Sequence, residues 1–336
     1  MKKILISVMS AAVIIGLLGC NINSPKLPVK EKTNSSGPKP PPKAEAQAEA
    51  FRAGFITKAM ANESHKFLWN EFQRLSPEYN FKMRLFACDN DPQAEATAVE
   101  QCIDEGYDVI FVNPGSIDVI VPALSKARDA GIIVGMFSSD LPPEYNELRN
   151  FFCGADEFRI GETAAKIVAE NFPDGARFVE VGGLAGHNSQ IKLHDGFRVG
   201  IAGSNIVELD SQNCREGWNA NEAMGIMKNL ISRFGNRIDV VFCHWDNGAS
   251  GVIQALHHRG MYDVFVVGIG GNKTGYTQVR ERTQALSIGH SFTDMVSQSL
   301  RNAKALLEGG SVQPVNHISF DIITVDTIDS LLPPQW

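Results

Sequence analysis

Beyond residue 50, short apolar runs alternate with stretches in which apolar positions recur every three or four residues. The runs at 53–57, 82–87, 108–112, 132–137, 177–181, 239–243 and 264–268 are rich in Val, Ile and Phe and apolar on both faces. That pattern predicts strands buried in a parallel sheet. The segments 63–75, 92–104, 117–130, 157–171, 189–202, 219–232 and 249–259 carry an apolar stripe at helical period. Several close on a glycine before the next strand, as at Glu105-Gly106, Ala130-Gly131 and Arg259-Gly260. Repeated strand–helix units predict an α/β fold of doubly wound parallel sheets, with right-handed crossovers and ligands at the carboxyl ends of the strands. The stretch 51–336 exceeds one minimal core and predicts two lobes.

The first 50 residues follow a different pattern. Lys2 and Lys3 precede an apolar run from Ile4 to Leu18 that ends Leu17-Leu18-Gly19-Cys20. This length and charge predict an export signal over 1–20. Its end resembles a bacterial lipobox, which makes Cys20 the expected site of lipidation and membrane attachment; Leu18 departs from the small residue more usual there. From 21 to 50 the chain has no apolar period and holds Pro25, Pro28, Pro38, Pro40, Pro41 and Pro42. Such a segment cannot bury enough apolar surface to offset its ordering entropy and is expected to be a disordered tether.

Net charge is −7 with Lys and Arg scattered, which argues against a nucleic-acid partner. Beyond Cys20 stand Cys88, Cys102, Cys153, Cys214 and Cys243, with no CxxC pair or zinc spacing, so neither metal nor cofactor is expected. Cys153 and Cys243 fall in apolar runs and read as small buried hydrophobes; a Cys88–Cys102 disulfide is left open.

Polar and aromatic residues gather just after the predicted strands: 58–62, Asn113-Pro114, Phe137-Ser138-Ser139-Asp140, 183–188, His244-Trp245-Asp246 and Gly270-Gly271-Asn272. Any one of these can be an ordinary polar rim, but six together predict a shared cleft.

At this point the order of motifs resembles the periplasmic sugar-binding family that includes ribose- and galactose-binding proteins, whose folded domains are shared by LacI-type repressors. The resemblance spans 51–325 and rests on GFITKAMAN at 54–62, DVIFVNP at 108–114, AGIIV at 130–134, GLAG at 183–186, DGF at 195–197, DVVFCHWD at 239–246 and VVGIGG at 266–271. A signal and tether stand where a repressor would carry its DNA-binding helices. The resemblance implies a type I fold of two lobes joined by three crossovers, the first over 51–154 and 291–319, the second over 155–290 and 320–336. It also implies a monomer that hands a sugar or polyol to an ABC permease. A sensory protein feeding a chemoreceptor or histidine kinase, and a binder of nucleosides or furanose signals, stay open as alternatives.

Carried over residue by residue, Asn62 and Asn113 stand where the family hydrogen-bonds sugar hydroxyls, Trp218 where a ring covers the sugar face, and Asp246 in the usual place after a strand. Trp245 replaces an Asn and His290 a Gln, whereas Ser138-Ser139 replaces an Asp-Arg pair and Ser64-His65 an aromatic pair. Ile191 and Gly270 replace a ligand-binding Arg and Asp. The expected site is therefore Lys58, Asn62, His65, Asn113, Phe137, Ser138, Asn188, Trp218, Trp245, Asp246, Asn272 and His290. Amides and imidazoles pair with hydroxyls, and flat rings cover apolar C–H faces. Lys58 can be a solvated strand-end lysine or a cation meeting an acidic ligand group, and Trp69, beside Phe67 and Phe72, reads as core. No HExxH, GxSxG, phosphate loop or dinucleotide fingerprint is present, and an enzyme is not expected.

Overall fold

A computed structural model describes residues 49–336 apart from Ala59 and Glu216. The expected signal, Cys20 and the tether up to residue 48 lie outside the described residues. The chain runs β1 (Phe51–Thr57), α1 (Glu63–Leu75), β2 (Phe81–Ala87), α2 (Pro92–Asp104), β3 (Val109–Asn113), α3 (Ile117–Asp129), β4 (Ile133–Phe137) and β5 (Phe151–Ala155). It continues α4 (Glu157–Asn171), β6 (Ala176–Leu184), α5 (Asn188–Ile201), β7 (Ile206–Cys214), α6 (Ala220–Phe234), β8 (Val240–Cys243) and α7 (Asp246–His257). Then come β9 (Phe265–Gly270), α8 (Lys273–Arg280), β10 (Leu286–His290), α9 (Phe292–Leu307), β11 (Val315–Ile318) and β12 (Phe320–Thr324).

The strands form two six-stranded sheets, ordered β11-β5-β4-β3-β1-β2 and β12-β10-β9-β8-β6-β7. All neighbours pair parallel except the antiparallel β10–β12 edge. The chain passes between sheets three times: after β5, after β10, and between β11 and β12. Each sheet is covered on both faces. In the first lobe α1 and α9 bury Phe55, Phe72, Phe111 and Phe151, while α2 and α3 cover Ile56, Ile110 and Val112. In the second, α4 and α5 pack on Phe178, Phe197 and Phe242, and α6 and α7 on Val179, Val181 and Val241. Removing this much apolar surface from water, at about 25 cal/mol per Å², is what holds each lobe together.

The seven predicted strands and seven predicted helices all form, with shifted ends. Five strands and two helices are additional. β7 reads IVELDSQNC and is half polar because it is a sheet edge, covered on fewer sides than the runs the apolar pattern detects. α7 starts at Asp246 rather than 249, which turns a presumed loop residue into the first residue of a helix.

Residues 328–336, expected with the second lobe, touch both. Ile328 and Leu331 pack with Tyr276 and Val279, whereas Trp336 stacks on Phe292 of the first lobe at 5.3 Å and 20°. Cys88 and Cys102 are buried free thiols, not a disulfide, and burial pushes both up to about 12. Among the described residues no helix is long and apolar enough to cross a membrane.

Candidate binding cleft

In each lobe the carboxyl ends of the strands turn toward the other lobe. On the first side β1 and β3 end in register, Thr57 opposite Asn113, and Lys58 follows at once. Thr57 is fully buried and its Oγ1 lies 2.6 Å from His65 Nδ1 on α1. On the second side β6 ends at Leu184, β8 leads into His244 and Trp245, and β10 ends at His290.

Two polar contacts join the lobes beside the strand ends. Lys58 Nζ lies 3.1 Å from His187 Nε2, and Asn188 Nδ2 donates to the Asp140 carbonyl at 3.0 Å. An aromatic wall runs on from His187: its ring meets Trp218 edge-on at 5.8 Å, and Trp218 meets Trp245 edge-on at 5.5 Å and 86°. Trp218 lies flat over Gly183, where a Cβ would run into the indole. Asn113 Oδ1, Trp245 Nε1 and His290 Nε2 are buried without a hydrogen-bond partner. An unpaired buried polar atom costs about 1–3 kcal/mol; Asn213 Oδ1 and His244 Nδ1, also near strand ends, are unpartnered as well, so these atoms are open to a further partner.

Burial governs the electrostatics. It drives His187 and His65 down to about 3, with the Lys58 cation adding to the effect on both, and it takes His290 to about 4. Lys58 is itself lowered by burial, while Glu95 and Glu157 pull it back up. Burial pushes Glu157, the first residue of α4, up to about 7 against a hydrogen bond from Ser189.

The structure brings Lys58, His65, Asn113, Asn188, Trp218 and Trp245 to this junction; His290 ends β10 with its ring 5.1 Å from that of Phe292. Ser138 directly follows β4, in a left-handed backbone conformation (φ 62°) that few non-glycine residues adopt. Three other expectations, Phe137, Asp246 and Asn272, are corrected. Phe137 is 1 % exposed and stacks on Phe55 at 5.0 Å, so it is core rather than a cleft ring. Asp246 has no exposed surface; Gln284 Nε2 and Ser287 Oγ donate to its carboxylate at 2.9 Å each, and the Asn272 N–H at 3.3 Å. Asn272 caps α8 by accepting from the Gly275 N–H and donates to Asn247. Asn62 is exposed and caps α1, accepting from the Ser64 N–H and hydroxyl. Trp69, expected in the core, packs against Phe55 at 5.7 Å.

His187 and Glu180 stand outside the expected site residues, whereas Gly183 belongs to the 183–188 segment already expected at the cleft. His187 lies in the loop that was singled out, and its signal was a histidine directly ahead of a helix. Glu180 is fully buried in β6 and receives Arg198 Nη1 at 2.7 Å, Ser211 Oγ at 2.9 Å and the ring nitrogens of His194 (3.0 Å) and His244 (2.7 Å). Burial alone would raise its pKa, but these partners hold the carboxyl well below the usual range. The network fixes His244, the residue before Trp245, from below the cleft floor.

Residues 53–311 match the family model described as a periplasmic binding protein domain. The ribose import binding protein of Bacillus subtilis (strain 168) is 23 % identical over 313 residues, covering 93 % of this chain and 96 % of that protein. The xylitol-binding protein of Mycolicibacterium smegmatis is 26 % identical over 250 residues, 74 % of this chain and 70 % of its own. Among solved structures, a galactofuranose-binding protein superimposes with TM-score 0.77 at 19 % identity, covering 83 % of this chain and 96 % of that one. A Bacillus halodurans C-125 ABC-transporter solute-binding protein with bound myo-inositol gives 0.76 at 20 % identity, covering 84 % and 96 %. The solved structures bear on the fold, and the family model bears on descent. With two parallel-sheet lobes, three crossovers and a match over most of its length, the chain belongs to the periplasmic binding protein domain family.

Proposed function

We propose that the protein captures a sugar or sugar-derived molecule between its lobes and delivers it to an ABC permease, acting as a binder and not as an enzyme. The observation that carries this reading is the run Lys58–His187–Trp218–Trp245 across the lobe junction, flanked by the unpartnered atoms of Asn113, Trp245 and His290. A ring over the C–H face of a sugar excludes water, and buried amide and imidazole groups exchange hydrogen bonds with hydroxyls. Relatives named for ribose and xylitol support the ligand class. The 86° angle between the two indoles counts against a nucleoside, because edge-on rings cannot clamp a flat base from both sides. Export and lipidation at Cys20, with attachment of a monomeric body to a membrane surface, belong to the same proposal and rest on the apolar run and the Leu-Leu-Gly-Cys end of residues 4–20.

A thermal-shift panel of pentoses, hexoses, polyols, sugar acids and nucleosides tests the reading. A true ligand at 100 times its dissociation constant adds about 2.7 kcal/mol of stability. If only nucleosides stabilise the protein, or no compound in the panel does, the reading fails. Retention of lipid label by a Cys20→Ser variant would refute the anchor.

A further inference from the structure

Donors and acceptors at the lobe junction do not balance. His187 Nδ1 accepts the Ser189 N–H at 3.2 Å, so the neutral ring carries its proton on Nε2. That N–H faces Lys58 Nζ at 3.1 Å; burial lowers Lys58, but as an ammonium group it has no lone pair with which to accept the N–H. With Lys58 charged, two donors therefore confront each other in a short contact between the lobes unless an acceptor is shared between them.

The surrounding carboxylates do not supply that acceptor. Glu95 accepts the Gly115 N–H with both oxygens, at 3.1 and 2.8 Å. Asp140 is held by Arg149 at 2.5 and 2.8 Å and by the Leu141 N–H. Asp246 is enclosed by Gln284, Ser287 and Asn272. Glu157 is hydrogen-bonded to Ser189, and burial raises its carboxyl to about 7. Lys58 makes no ion pair among the described residues. Further along the wall Trp245 Nε1, which can only donate, is buried and unpartnered, whereas Asn113 contributes an unpartnered oxygen. The complementary molecule brings an acceptor-only group to one end and hydroxyls to the other.

We propose that the cleft selects an acidic sugar, an aldonate or uronate, whose carboxylate accepts from both Lys58 Nζ and His187 Nε2 while its hydroxyls meet Asn113 and its C–H face lies against Trp218. This rests on the sugar-binding reading above and narrows it. A carboxylate resolves the donor–donor contact, and charge-assisted hydrogen bonds of this kind are about twice as strong as neutral ones.

The test is calorimetric titration of the full-length chain with D-gluconate, D-galacturonate, D-ribonate and D-xylonate, each beside its neutral aldose and alditol. At least one acid should bind about tenfold or more tightly than its neutral counterparts. Lys58→Met should abolish that preference, and Lys58→Arg, which keeps the charge and confirms that the position tolerates change, should retain most of it. Equal or tighter binding of the neutral partner overturns the proposal, as does a preference that survives Lys58→Met. Binding of neutral sugars with none of the acids overturns it and leaves the sugar-binding reading standing. If neither class binds, the sugar-binding reading falls and the proposal falls with it.

Discussion

Lys58 Nζ and His187 Nε2, 129 residues apart in the chain, meet at 3.1 Å across the junction of the two lobes. Neither lobe can form this contact alone. With the Asn188–Asp140 hydrogen bond it defines where the lobes touch beside the aromatic wall. Replacing His187 by Ala removes one of the two polar contacts between the lobes beside the aromatic wall and the edge contact to Trp218. Ligand release should accelerate about five- to tenfold, roughly 1 kcal/mol, with association little changed. Stopped-flow tryptophan fluorescence checks this; an unchanged release rate would mean that the contact plays no part in holding the lobes together.

Acid should destabilise the fold. His65, His187 and His290 are held at about 3, 3 and 4 when buried, against 6.5 when free. As pH falls below 6.5 the unfolded chain takes up protons that the folded form refuses, so stability present above 6.5 is lost progressively toward 3–4. His65, the most buried of the three, costs about 2 kcal/mol between pH 7 and 5. Glu157 works in the opposite sense: raised from 4.5 to about 7, it favours the folded form as pH falls through that range. Three imidazoles outweigh one carboxyl, and thermal stability should drop from pH 7.5 to pH 5. A flat or rising series of unfolding midpoints would contradict this balance.

Gly183 seats Trp218, since a Cβ there would collide with the indole. Gly183→Ala should lower affinity about tenfold or more by tilting the ring, as loss of an aromatic anchor does. Its backbone is not in the left-handed region, so the folded state should tolerate the substitution. Binding unaffected by Gly183→Ala would remove Trp218 from the ligand's contact set.

Asp246 gives the opposite signature. Asp246→Ala would strand the Gln284, Ser287 and Asn272 donors in a site without solvent. Thermal unfolding should show a loss of about 3 kcal/mol or more, with affinity of the folded fraction close to that of the parent. A stable variant that no longer binds would return Asp246 to the cleft.

Much of the fold was legible because buried parallel strands announce themselves as apolar runs, and the strand ends then follow by the topology of the sheet. Lys58, Asn113, Trp218, Trp245 and His290, which the cleft proposal uses, stand at such strand ends or just beyond them. What was not legible depends on which way a side chain turns. Phe137 closes β4 facing the Phe55 side of its sheet, and Asp246 turns under α8 to partners at 284 and 287 that no local pattern connects to it. Asn62 and Asn272 are amides ahead of helices, where capping competes with ligand binding for the same residue type. His187 escaped notice because its partner belongs to the other lobe, a relation that exists only once the chain has folded.

The central claim is that a small molecule is held by both lobes at once: Lys58 and Asn113 from one, His187, Trp218 and Trp245 from the other. Closure then gains free energy chiefly when ligand bridges the two sides. Small-angle scattering, with and without a ligand identified by the thermal-shift panel, measures this directly. The account predicts that the radius of gyration falls on ligand addition at constant mass, and that Trp218→Ala abolishes the change. Tight binding with an unaltered radius of gyration and an unaltered scattering profile would contradict a two-lobe trap.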